Sequence, residues 1–243
     1  MKKNLVGLLA VVLIAAGFVS CNKDDDNNQK ESTLKVRIAT FADDWDTWTY
    51  SYNTEGQLIK VYRDETKQWN FRYNGDSIII SGTDNYKILL GKNGYVASMA
   101  DDWDARTYTY DALGHLTQVK KNGTVVSNLK IDAGCITTWS KWMMKGTDTQ
   151  NVEHFKNQTF STVKNVAKIH NIYSEMFGGS RWLMETGIFG IPSDYLCEQT
   201  VWDYSTSPAA LTYEFDTNNC VTHEIKTGAD YVENYYYTWT VVK

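Results

Sequence analysis

The chain has 243 residues, with 24 Lys and Arg against 29 Asp and Glu for a formal charge of −5. That acidic balance, with no cluster of basic residues, argues against a nucleic-acid partner, whose phosphates call for a positive stripe. Only two prolines stand beside nine Trp and sixteen Tyr, an aromatic load that favours pleated, half-buried strands over helices.

The chain opens on Lys2 and Lys3, followed by an apolar run from Leu5 to Val19 and then Ser20-Cys21. The run is too short to cross a bilayer comfortably as a helix, and it ends in a cysteine instead of an Ala-x-Ala cleavage site. Phe18-Val19-Ser20-Cys21 resembles a bacterial lipobox. That resemblance implies that residues 1–20 are a signal peptide removed before Cys21, that Cys21 is acylated, and that lipid holds the mature protein to a membrane. Several acyl chains are needed for lasting attachment, because each buried methylene yields only about 0.8 kcal/mol and one chain binds marginally. Residues 21–33 carry no large apolar side chain beyond that cysteine; they cannot offset the entropy of ordering and are expected to be a disordered tether. Lys23 followed by Asp24, Asp25 and Asp26 is similar to the export signal of Bacteroidota lipoproteins that face outward from the outer membrane, so a surface-exposed lipoprotein is expected.

Residues 34–243 read as a single β domain. Gly56, Gly75, Gly94, Gly114 and Gly134 recur at intervals of 19, 19, 20 and 20 residues, each between runs rich in aromatic or β-branched side chains. About twenty residues suffice for two strands of the usual five or six plus their turns, so each unit is predicted to be one hairpin. The glycines, and the pairs Asn74-Gly75, Asn93-Gly94 and Asn122-Gly123, supply the positive φ that tight reversals need. Before each glycine bulk alternates with period two, as in Tyr50/Tyr52, Trp69/Phe71/Tyr73 and Tyr108/Tyr110. After it, apolar residues stand three apart: Leu58/Val61, Val96/Met99, Leu116/Val119 and Ile136/Trp139. A spacing of three cannot stay on one face of a regular strand, so either a bulge follows each turn or both faces of the sheet are partly covered.

Tyr110-Asp111-Ala112-Leu113-Gly114-His115-Leu116 resembles the YD (Rhs-type) repeat, Tyr-Asp-x-x-Gly-Arg-Leu, with His115 where that family has Arg. Together with the lipobox and the Tyr-rich strand 235–241, the pattern is similar to a family of Bacteroidota lipoproteins of unknown function. The resemblance spans roughly residues 35–140 and returns at 211–243. It implies one large twisted antiparallel sheet, a meander of hairpins, and it transfers no catalytic residue. Long Rhs proteins wind such repeats into closed shells, whereas the repeats here are too few to enclose a cargo domain.

Between about residues 150 and 208 the glycine rhythm lapses. Val163, Val166, Ala167, His170 and Tyr173 follow helical spacing, which predicts a short helix from Thr162 to Met176 ended by Gly178-Gly179. With the apolar, irregular stretch Arg181 to Pro192, this insertion is expected to cover one face of the sheet. The hairpin pattern resumes at Leu211, with Asn219 in the glycine place, and Tyr235 to Val241 alternates cleanly as a final strand. Cys135, Cys197 and Cys220 allow one disulfide, for which Cys197 with Cys220 is the favoured pair, or a buried reduced trio.

Two identical pentapeptides, Ala42-Asp43-Asp44-Trp45-Asp46 and Ala100-Asp101-Asp102-Trp103-Asp104, lie three repeat lengths apart in equivalent turns. Trp45 and Trp103 are candidate platforms for sugar rings, with Asp44, Asp46, Asp102 and Asp104 as partners for hydroxyls or for a hard cation such as Ca²⁺. Alternatively the acids simply solvate turns while each Trp packs on the next strand. Trp139, Trp142, Trp182 and Trp202 around the insertion form a second candidate groove, or belong to the core. His-Glu-x-x-His, Gly-x-Ser-x-Gly and P-loop patterns do not occur, and Glu153-His154 and His223-Glu224 place adjacent side chains on opposite strand faces. The expected function is therefore that of a non-catalytic, lipid-anchored module binding a glycan or peptide. Two alternatives stand beside it: an assembly partner in an envelope complex, which predicts a free sheet edge or apolar patch with the tryptophans buried, and a carbohydrate-active hydrolase, which predicts two acids converging with raised pKa.

Overall fold

Period-two bulk separated by turn residues becomes wall. In the computed structural model, which describes residues 35–64, 66–141, 154–170, 181–202 and 207–242, sixteen strands follow one another around a closed antiparallel barrel. They are β1 (Val36–Ala42), β2 (Thr47–Tyr52), β3 (Leu58–Arg63), β4 (Lys67–Asn74), β5 (Ser77–Gly82), β6 (Tyr86–Leu90), β7 (Val96–Ala100) and β8 (Ala105–Tyr110), then β9 (Leu116–Lys121), β10 (Thr124–Asp132), β11 (Cys135–Lys141), β12 (His154–Lys164), β13 (Tyr195–Trp202), β14 (Ala209–Phe215), β15 (Val221–Thr227) and β16 (Val232–Val241). One short helix, α1 (Arg181–Met184), lies between β12 and β13. Cys21, the signal peptide, the tether and Trp142 fall outside the described residues.

The expected meander of hairpins is what forms, and it goes further than a curved layer. β1 pairs with β16 from Val36↔Val241 to Ala42↔Tyr236, so the sheet closes and no strand edge is left bare. All five repeat glycines have positive φ, from 55° at Gly75 to 100° at Gly114. Each sits in a turn between an even-numbered strand and the next, so all five gather at one end of the barrel, here the glycine end. Asn219, with φ 60°, takes the glycine place before β15.

Bulges account for the spacing of three. Tyr52 pairs with Leu58 but Ser51 pairs with Lys60, which leaves Ile59 over; the same slip follows the turns at Leu90/Val96, Tyr110/Leu116 and Phe215/Val221. One extra residue flips the later side chain back to the first one's face. Leu58 and Val61, Val96 and Met99, and Leu116 and Val119 are accordingly all buried. At β15 the same geometry turns Val221 and Glu224 inward together, which sends a carboxylate into the core.

The two wall faces differ sharply. Inward rows such as Trp48/Tyr50, Trp69/Phe71 and Ile78/Ile80 are buried, while outward rows such as Thr47/Thr49 and Thr107/Thr109, with Arg72, Lys87 and Lys130, meet solvent. A wall of about sixteen strands is wide enough to leave an open lumen. Here the chain fills it with its own residues 165–170 and 181–194, folded in from the glycine end. Trp182 stacks on Trp69 at 4.6 Å between ring centroids and meets Phe71 edge-on, and Phe189 meets Tyr108. The amides of Ile191 and Asp194 donate to the carbonyls of Gly114 and Gly134, and that of Val96 to Ile188.

Two expectations are corrected. The helix from Thr162 to Met176 does not form over its described part: β12 continues to Lys164, the chain turns at Asn165–Lys168 (φ 57° at Lys168) and enters the barrel, while residues 171–176 lie outside the described set. The apparent helical spacing mixes Val163, exposed on the wall, with Ala167 and His170, buried inside. The expected insertion thus contributes two wall strands, β12 and β13, and of the described residues between them 165–170 and 181–194 line the inner face of the sheet. Cys135, Cys197 and Cys220 are buried thiols that are not paired with one another. β14 separates Cys197 from Cys220, and two strand spacings, about 10 Å, exceed the roughly 7 Å that a disulfide tolerates between Cα atoms.

Candidate functional site

The paired pentapeptides form the same turn twice, at the end of the barrel opposite the glycines. In the β1–β2 turn the Asp43 Oδ1 accepts from the amides of Trp45 (2.9 Å) and Asp46 (2.8 Å), and in the β7–β8 turn Asp101 Oδ1 accepts from Trp103 (2.8 Å) and Asp104 (2.7 Å). The amides of Asp43 and Asp101 donate to the carbonyls of Asp46 and Asp104, both at 3.0 Å. The first acid therefore builds the turn. The last is held by the next strands: Asp46 pairs with Arg63 at 2.8 Å, and Asp104 with Lys121 at 2.8 Å and Arg106 at 3.3 Å. Lys121, followed by Arg106, keeps the Asp104 carboxyl below the ordinary range, whereas partial burial and the neighbouring Asp64 lift Asp46 despite Arg63.

Each turn then projects its middle residues. Trp45 is 90% exposed and Trp103 89%, so the expectation that they pack onto the next strand is wrong, although the acids do hold the turns as that alternative required. A four-residue turn closed by its own aspartate has no room to fold an indole back on the wall. Asp44 is tied to β16, accepting from the amide and the side chain of Asn234 at 3.1 Å each; Asp102 makes no such bond. The acids spend their oxygens on N–H donors, and among the described residues no cluster of three His, Cys, Asp or Glu side chains is arranged to hold a metal ion. Trp182 belongs to the core instead of a groove.

A second polar constellation, which the linear sequence did not announce, lies inside the barrel. Arg181 of α1 reaches Glu224 of β15 (3.1 Å), Glu185 (3.4 Å) and the Tyr237 hydroxyl, and its guanidinium lies 3.8 Å from the Tyr235 ring centre. The Glu185 carboxylate also accepts from the His170 amide at 3.4 Å. Burial, only partly countered by Arg181 and reinforced by Glu224, pushes Glu185 up to about 7. Burial and Arg181 push His170 down to about 4, and neither ring nitrogen has a hydrogen-bond partner among the described residues. The convergent carboxylates that the hydrolase alternative calls for thus exist, but Arg181 bridges them and their side chains are 1% and 3% exposed, which leaves no place for a polysaccharide. The outward His223 stacks on Tyr236 while Glu224 points in, so that sequence pair is split by the pleat as expected.

The Tyr-Asp element has a mechanical role. Asp111 Oδ1 accepts from the amides of Leu113, Gly114 and His115, and its Oδ2 lies 3.0 Å from His115 Nδ1. Those bonds from His115 and Leu113 outweigh desolvation and hold the Asp111 carboxyl low. The preceding tyrosine bridges to the strand before it: Tyr110 to the Val96 carbonyl, Tyr52 to Ile38 and Tyr213 to Cys197, at 2.9, 2.9 and 2.6 Å. At these three seams ladder pairing stops after three, three and two residue pairs, and the hydroxyl spans the splayed end.

No curated protein is significantly similar to the chain in sequence. Among solved structures, a porin-like protein from Bacteroides uniformis ATCC 8492 is similar in fold, with a TM-score of 0.61 at 19% identity over 84% of this chain and 96% of that one. A porin-like protein from Bacteroides vulgatus ATCC 8482 is similar too, with a TM-score of 0.53 at 11% identity over 83% and 98%. The Teneurin YD-shell family profile matches residues 26–171, more than half of the chain and the stretch that holds the five glycine turns and the Tyr-Asp clamp. The chain belongs to the Teneurin YD-shell family.

Proposed function

We propose that this protein is a lipid-anchored component of the cell envelope, held at the outer membrane through acylated Cys21, whose barrel stands in water and binds a glycan without catalysis through Trp45 and Trp103. The observation that carries the reading is the pair of identical, aspartate-locked turns, each presenting a fully exposed indole at the same end of the barrel. A flat apolar face held on a rigid turn costs little entropy to dock against a sugar ring. The likeness to two porin-like Bacteroides proteins favours an envelope setting. The wall favours a tether over insertion, since an inserted barrel needs an apolar outer band and a polar lumen, and this one has the reverse. The assembly-partner alternative is less well supported: the closed sheet offers no free edge, and these two tryptophans are exposed.

The test is electrophoretic retardation in gels containing soluble starch, xylan or mannan. Retardation by at least one polysaccharide is expected, and it should be lost on W45A/W103A with no change in melting temperature, because both side chains already face solvent. Absence of retardation with all three, or equal retardation of the variant, would sink the glycan reading.

A further inference from the structure

At the glycine end, opposite the tryptophan turns, a cavity of about 280 Å³ opens between β1–β4, β16 and the Glu185–Ile188 turn of the inner segment. Its walls are largely aromatic: Tyr52, Phe71, Tyr73 and Trp239. Most of its polar groups are already engaged. The Tyr52 hydroxyl donates to Ile38, Trp239 Nε1 to the Val221 carbonyl and the Thr186 hydroxyl to Leu183, while the Glu185 carboxylate is held by Arg181.

Arg37 is different. Its guanidinium lies 5.5 Å from the Tyr52 ring centre and is half-buried, yet no carboxylate or carbonyl among the described residues accepts from it. Gly56 makes room for it: a Cβ there would stand 2.1 Å from the guanidinium nitrogens, so the backbone itself forms the cradle. A half-buried cation with five planar donors and no acceptor leaves hydrogen-bonding capacity unspent, and a carboxylate matches that fork two-for-two. The second cation at the rim, Lys168, has only an exposed 3.7 Å pairing with Asp194, which is worth little. Glu185 is paired with Arg181 and Lys168 with Asp194, which leaves Arg37 as the lining charge without an opposite charge among the described residues.

We propose that this cavity binds a small planar carboxylate, its acid group on the Arg37 fork and its ring among Tyr52, Phe71, Tyr73 and Trp239. The size suits one substituted ring or a fused pair, near the lower limit of small-molecule pockets. The site is independent of the glycan reading, because it lies at the other end of the barrel and shares no residue with it.

Benzoate is the probe, with benzamide and acetate as the uncharged and ringless controls, read by calorimetry and by fluorescence, since Trp239 lines the cavity. Saturable benzoate binding is expected, weakened about tenfold or more when either the charge or the ring is absent, and weakened comparably by R37Q. R37K, which keeps the charge but loses the fork, should also bind more weakly, and it replaces R37Q if that variant does not fold. The double variant W45A/W103A should bind benzoate as the wild type does. No saturable binding by the wild type, equal binding of benzamide, or unchanged affinity in both Arg37 variants would overturn the proposal.

Discussion

Glu185 and His170 illustrate how one buried cluster hides its own pH dependence. Glu185, lifted to about 7 from an ordinary 4.5, contributes stability that is complete below pH 4.5 and lost as pH rises through 7. His170, depressed to about 4 from 6.5, contributes stability present above 6.5 and lost as pH falls through 4. Arg181 and Glu224 face the pair, and the two slopes oppose each other over nearly the same window. Glu185→Gln keeps an acceptor for Arg181 but removes one slope. Its melting temperature should therefore climb from pH 4.5 to 6.5 more steeply than that of the wild type; parallel profiles would show that Glu185 does not titrate there. Glu224 faces inward only because a bulge stands between it and Val221, so its burial was invisible without the register.

At the scale of the element, a hairpin here is more than two strands and a turn. Each of the three units uses a side-chain oxygen, that of Asn53, Asp111 or Asp216, to close the loop and its phenol to clamp the adjacent hairpin where the ladder has ended, and the second function explains why the residue is Tyr and not Phe. Tyr110→Phe removes the bond to the Val96 carbonyl, and an unpaired, largely buried acceptor costs about 1–3 kcal/mol. Tyr236→Phe, on the exposed outer face, should be close to neutral. Chemical denaturation of the two variants checks the contrast, and equal midpoints would remove the clamp from the account. The glycine turns and the bulges were legible because positive φ and a spacing of three have so few other solutions. The false helix at Thr162 arose because a strand leaving the wall and a segment entering the core can imitate a period of 3.6.

For the whole molecule, the inner face is apolar, the outer face polar, and the lumen is occupied by the chain's own residues 165–170 and 181–194. Such a barrel is held together from inside and needs no bilayer around it. If Cys21 is the tether, Cys21→Ser should move the protein from the membrane pellet to the soluble fraction while leaving its melting temperature and circular dichroism unchanged. Retention in the pellet would show that the barrel itself holds the membrane. The first described residue, Lys35, lies at the glycine end, where its carbonyl accepts from Val242.

What the linear chain fixed is local: the reversal points at Gly56, Gly75, Gly94, Gly114 and Gly134, the apolar spacing of three after four of those turns, and the matched turns around Trp45 and Trp103. These follow from backbone sterics and nearest-neighbour hydrogen bonds, which a few adjacent residues determine. Closure of β1 on β16, the folding of Arg181 into contact with Glu224, the thiols kept apart by β14, and the unspent guanidinium of Arg37 were decided by the tertiary structure. Each joins residues far apart in sequence, and only the summed burial of a filled barrel compensates for the entropy of bringing them together.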